Sequence, residues 1–146
     1  MTSGFRSILL VSHLAEDRTA FHEIFGRDQW SLYQAETFSE ARRTLGGHLV
    51  DVVLCEQELP DGDWDDLLRY LRVFERPPQL IVLSRLGDDR LWSRVLNLGG
   101  YDVLAKPLNR FEVIRIVGQA MRRGEELNST RAVNASAAAR PSTGCF

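Results

Sequence analysis

Four places in the chain carry side chains that can do chemistry together: Ser12-His13, Glu56, Ser84 and Lys106. Each follows a short apolar run: "ILLV" before Ser12, "VVLC" before Glu56, "IVL" before Ser84 and "VLA" before Lys106. A carboxylate, a hydroxyl and an ammonium in one crevice can position a phosphoryl group or pair with one another. Arg85, next to Ser84, adds a second cation that can gate such a crevice or recruit an anion. Other chemistries fit poorly. The histidines stand apart at positions 13, 22 and 48, which is no transition-metal cluster. Ser84 and His13 lack a nucleophile-elbow motif, so hydrolysis has no support. Asp61, Asp63, Asp65 and Asp66 have Gly62 in the wrong place for an EF-hand and no closing glutamate. They read as a turn and a helix N-cap.

The elements that would position these groups alternate. Ile8–Val11 is a strand-like run, and Ala15–Phe25 sets Phe21, Ile24 and Phe25 on one helical face. Trp30–Ala35 reads as a second strand. Ser39 is expected to cap a helix that Gly46-Gly47 stops. Leu49–Cys55 is a third strand, and Asp65–Phe74 a helix ended by Pro77-Pro78. Leu80–Leu83, the helix Asp88–Leu98 with its Gly99-Gly100 stop, the strand Tyr101–Ala105 and a helix capped by Asn109 complete the pattern. Continuous apolar strands separated by helices imply a parallel sheet covered on both faces. The right-handed crossover rule then favours an α/β doubly wound, five-stranded parallel sheet. In such sheets ligands bind outside the carboxyl ends of the strands, where the four reactive positions stand.

The chain has 146 residues and a net charge of −2, so no global basic field draws it to nucleic acid. No segment has transmembrane length, and "ILLV" is too short for a signal peptide. Cys55 and Cys145 make no disulfide framework and suit a reducing cytoplasm. After Arg123 the apolar period fails, so residues 1–123 are expected to form one domain and 124–146 a disordered tail. No second folded domain is expected.

The strand ends, "VVLCEQELPDGDW", "IVLS" and "GGYDVLAKPL" together give a close likeness. Over about residues 5–123 the chain resembles a bacterial response-regulator receiver domain of the CheY-like, flavodoxin-like (βα)5 fold. That resemblance implies a phosphoacceptor at the end of the third strand, an acidic magnesium pair after the first, and a hydroxyl and a lysine contacting the phosphoryl group. Here the acceptor position is Glu56 and the acidic pair is Ser12-His13, while Ser84 and Lys106 stand at the family's positions. Val103 takes the place of the aromatic residue often found three positions before the lysine.

These departures point to an atypical receiver, a pseudo-receiver. A glutamate displaces the carboxylate by more than about 1 Å, and misplacement of that order can cost about 100-fold in a positioned reaction. Serine and histidine remove two magnesium-binding charges, and His13 is a poor ligand for a hard cation. Glu16 and Asp17 fall in the first turn of a helix, where they complement its dipole. Magnesium binding is therefore expected to be weak or absent, with no catalytic group and no other cofactor. Glu56 then acts as a fixed charge facing Lys106 and Ser84, or as half of a structural ion pair. Output must come by protein–protein contact with a sensor kinase, another regulator or an output protein. The resemblance places partner or homodimer contacts on the fourth helix, fifth strand and fifth helix, where Trp92 and Arg94 are candidates. Two other readings stay open: weak phosphoacceptance at Glu56 with magnesium held through Glu16 or Asp17, and an anion or nucleotide site using Lys106, Ser84 and Arg85.

Overall fold

The computed structural model describes residues 6–26, 30–85 and 88–139. Seven strands and five helices follow in chain order: β1 Arg6–Val11, α1 Ala15–Phe25, β2 Trp30–Ala35, α2 Phe38–Gly47, β3 Val52–Glu56, β4 Glu58–Leu59, β5 Gly62–Asp63, α3 Trp64–Leu71, β6 Gln79–Ser84, α4 Asp89–Leu98, β7 Asp102–Ala105 and α5 Arg110–Ala139. Five of the strands form one sheet in the order β2-β1-β3-β6-β7, every pair parallel. The doubly wound α/β sheet expected from the apolar runs is present. β4 and β5 pair only with each other, as a small antiparallel hairpin beside the end of β3.

The period-two geometry of a strand sends alternate residues to opposite faces. Leu9, Val11, Val53, Cys55 and Val82 pack on one side with residues of α2, α3 and α4. Ile8, Leu10, Val52, Leu54, Ile81 and Leu83 pack on the other with Phe21 and Phe25 of α1 and Val113, Val117 and Ala120 of α5. Both faces are dry, so the central strands read as unbroken apolar runs.

Several boundaries differ from the sequence reading. β3 begins at Val52, leaving Leu49 94% exposed. The Asp51 carboxylate accepts from the Ser7 amide at 3.0 Å, holding the chain at the sheet margin just before pairing begins. α2 is capped by Thr37, not Ser39: Thr37 Oγ1 accepts from Glu40 N at 3.0 Å, and Glu40 Oε1 accepts from Glu36 N at 2.9 Å. The two bonds satisfy orphan amides at the helix start. Asp63 caps α3 and Asp66 returns a bond to its backbone, so these two acids do make a cap. Asn109 caps α5 through Glu112 N at 3.0 Å.

The largest difference is at the C-terminus. α5 runs to Ala139, so the tail expected to be disordered from Gly124 is helical as far as that residue. Asn, Ser and Thr each lower helix propensity by only tenths of a kcal/mol. Propagation of a helix already nucleated on a packed face tolerates that. Gly124 costs about 1 kcal/mol of helix propensity, which the flanking packed turns offset.

Asp61 is tied to a distant element. Its carboxylate accepts from Phe38 N at 2.7 Å and from Ser39 N at 3.0 Å, so the hairpin loop clasps the start of α2. Desolvation raises its carboxyl, but these amide bonds and the charge of Arg42 outweigh it and hold it below the ordinary value. A depressed carboxyl adds stability above its unfolded pKa and loses it as pH falls through the folded one. Asp61→Asn should therefore lower the melting temperature at pH 7. The gap to the parent should close toward pH 3, as thermal scans across pH will read.

A buried charge triad at the strand ends

Backbone bonds gather the four reactive positions. Ser12 N donates to Ala35 O at 2.9 Å, Gln57 N to Leu83 O at 3.0 Å and Lys106 N to Ser84 O at 2.9 Å. Ser12 follows β1, Glu56 ends β3, Ser84 ends β6 and Lys106 follows β7. The parallel register thus delivers all four to the carboxyl edge of the sheet.

The Lys106 ammonium is the hub. It donates to Glu56 Oε1 and, at 2.8 Å, to Asp17 Oδ2. The side chains are 8% exposed for Lys106, 12% for Glu56 and 3% for Asp17, so little water screens the group. Ser12 Oγ, fully buried, donates to the same Asp17 oxygen at 2.7 Å and accepts from Leu14 N at 3.1 Å. One ammonium therefore faces two carboxylates. Burial pushes the Glu56 carboxyl above its ordinary value; Lys106 pulls it back, and the Asp17 carboxylate pushes it up again. Burial also raises the neighbouring Cys55 thiol well above its ordinary value, which keeps it unreactive.

Glu56 pairs with Lys106, and Ser12 joins them through Asp17. Ser84 is buried beside them, but its hydroxyl donates to Gln57 Oε1 at 3.0 Å. His13 is exposed, outside this cluster. Arg85 reaches across the mouth to Glu16 at 3.1 Å, both side chains about two-thirds exposed. Sequence reasoning takes Asp17 as a dipole partner, or on the second reading as a magnesium ligand, but does not place it on Lys106, and it overlooks Gln57. A signal for Asp17 existed: Phe21 and Phe25 define the buried stripe of α1, and one turn back along that stripe is Asp17. Nothing comparable marks Gln57, whose place depends on the backbone leaving β3.

The magnesium centre that the resemblance implies does not fit these residues. Both carboxylates already bond the Lys106 ammonium, and a divalent cation between them would lie against that charge. Among the described residues no three acidic, histidine or cysteine side chains cluster as a metal site.

The two interface candidates separate. Trp92 is 48% exposed and its Nε1 donates to Asp102 Oδ1 of β7 at 3.2 Å. Leu96, one turn on, is 37% exposed. Arg94 lies on another side of α4, bonded to Asp65 of α3 at 3.2 Å and set 5.3 Å over the Trp64 ring. Two residues along a helix differ by about 200°, so one face cannot present both.

The profile of the response regulator receiver domain matches residues 8–118. The response regulator protein PilR of Pseudomonas aeruginosa is 28% identical over 116 residues, covering 78% of this chain and 26% of PilR. The chain thus spans about a quarter of that relative's length. The sporulation initiation phosphotransferase F of Bacillus subtilis is 23% identical over 106 residues, covering 73% of this chain and 86% of that protein. In three dimensions, the signal receiver domain of an HD domain-containing protein from Pseudomonas fluorescens superposes with a TM-score of 0.78. It has 23% identity and covers 88% of this chain and 96% of that one. With the sheet order, the strand-end lysine and serine and the matched span in agreement, the chain belongs to the response regulator receiver domain family.

Proposed function

We propose that this receiver domain signals by protein–protein contact in a two-component or phosphorelay system, with phosphotransfer to its own site absent or much weakened. One observation carries the reading: the lysine that would meet a phosphoryl group is already taken by Glu56 and Asp17, in a buried cluster with one more carboxylate than cations. A phosphoryl group carrying about −1.5 to −2 charge would enter against that excess. Its transfer depends on charge neutralisation and positioning, and both are spent on an internal pair. Glu56 holds the pocket in one charge state, as a permanent stand-in for a modified acceptor. The partner is a sensor kinase, another regulator, an output protein or a second copy, in the cytoplasm. It meets the face of α4, β7 and α5, where Trp92 and Leu96 are exposed.

A second reading is favoured by Asp17, which brings one carboxylate into the pocket where the acidic pair is missing. On it, Glu56 still accepts phosphate with metal help. An anion or nucleotide site has less support, since Lys106 and Arg85 are both engaged by carboxylates.

A residue-resolved amide NMR titration with magnesium, then magnesium plus beryllofluoride, separates them. The interaction reading expects no clustered shifts at millimolar magnesium and none on adding the phosphoryl mimic. Saturating shifts at Ser12, Asp17, Glu56, Ser84 and Lys106 would hand the site to the second reading.

A further inference from the structure

A cavity of about 320 Å³ lies at the opposite end of the sheet, among the end of α3, the start of β6, the α4–β7 turn and α5. That volume falls within the range of small-molecule sites, roughly 300–1,000 Å³. Leu68 and Leu71, 5% and 1% exposed, supply apolar lining, with Pro77-Pro78 and Leu127 around them. Arg72 and Arg123, both exposed, bring two guanidinium groups, and among the described residues no acidic side chain lines the cavity. Among the described residues Arg72 has no carboxylate partner, and Arg123 has only the exposed Glu126 at 3.7 Å.

The glycine turn makes room for this arrangement. Gly99 has φ +105°, and a Cβ there would stand 3.1 Å from Arg72 Nη2. The guanidinium therefore lies close against the bare turn. At Gly100 a Cβ would stand 2.5 Å from Val95 Cγ1. Both positions need glycine, for conformation at one and for space at the other. Gln79 and Tyr101 complete the wall together with Arg123 and Leu127, which belong to the stretch of α5 at and beyond Arg123, where the apolar period fails.

We propose that this cavity binds a small organic acid with an apolar body, its carboxylate held by Arg72 and Arg123 and its body among the leucines and prolines. The guanidinium forks match a planar carboxylate and give charge-assisted bonds. The leucines and prolines offer the body an apolar wall, beside the polar groups of Gln79 and Tyr101. Such a ligand bridges α3, the α4–β7 turn and α5, far from Glu56, and is independent of how the triad is read.

The test is an amide NMR titration of the full chain with 4-phenylbutyrate, with 4-phenylbutyramide as the uncharged control. The proposal expects saturable shifts confined to Leu71, Gly99, Gly100, Tyr101 and Leu127. It expects about tenfold weaker binding of the amide, and about tenfold loss in Arg72→Gln or Arg123→Gln. Leu127→Trp, which fills the cavity, should abolish the shifts. Absence of saturable shifts at several millimolar acid overturns the proposal, as do shifts centred elsewhere. Equal binding of acid and amide, unaffected by Arg72→Gln, would leave an apolar crevice only and also overturns it.

Discussion

Lys106→Ala should destabilise the fold by about 3–5 kcal/mol, because it leaves Asp17 and Glu56 buried together without their cation. For a domain of this length that is a fall of roughly 10–20 °C in melting temperature. Lost packing alone predicts less, since the lysine stem lies at the margin of the core. Two further measurements isolate the charge. Lys106→Ala with Glu56→Gln should recover part of the loss, because one of the two unpaired carboxylates becomes a neutral amide while Asp17 stays buried without its cation. The loss should also depend on pH. Burial and Asp17 already raise the Glu56 carboxyl, and removing Lys106 takes away the influence that lowers it. The folded variant then binds its proton at higher pH than the unfolded chain does, so its stability falls as pH rises above the ordinary glutamate value. Melting curves should show variant and parent closest in mild acid and farthest apart above neutrality. A gap that does not change with pH, and does not shrink in the double variant, would show that the triad is not the source.

Trp92→Ala should weaken partner or self-association by about 2 kcal/mol or more, roughly 30-fold, with little change in melting temperature. The indole stands half exposed beside Leu96, anchored by its bond to Asp102, so it presents a preset apolar surface. An aromatic held in one orientation loses little freedom on binding. Arg94→Ala should behave in the opposite way. Its contacts are internal, to Asp65 and over Trp64, so its removal should lower stability by less than about 1 kcal/mol and leave association unchanged. Sedimentation of the purified chain, and affinity for a partner kinase or regulator, provide the two readouts. If Arg94→Ala weakens association as much as Trp92→Ala, the interface wraps α4 and extends onto α3.

Much of this was legible before any coordinates. Continuous apolar runs mark dry strands, and helix stripes such as Leu91 and Val95 mark the covered faces. Trp92 falls one position off that stripe, which allows either exposure or partial burial, and it stands 48% exposed. What escaped depends on long-range closure. Asp17 looks like a first-turn helix acid; the α1 stripe marks it as buried, but its partner Lys106 stands 89 positions away. The clasp of Asp61 on α2 joins residues 22 and 23 positions apart, which no local pattern encodes. The end of α5 escaped for another reason: a helix stops where propagation fails, not where its apolar stripe fades.

The reach of α5 has a mechanical consequence. The helix still lines the domain at Leu127 and Asn128, and its backbone continues to Ala139. At 1.5 Å per residue the stretch from Asn128 to the end is roughly 16 Å long. A tilt of about 10° there would sweep the far end through about 3 Å by the same geometry. A lever of this kind would turn a slight shift at the start of α5, just after Lys106 and Pro107, into a larger displacement at its far end.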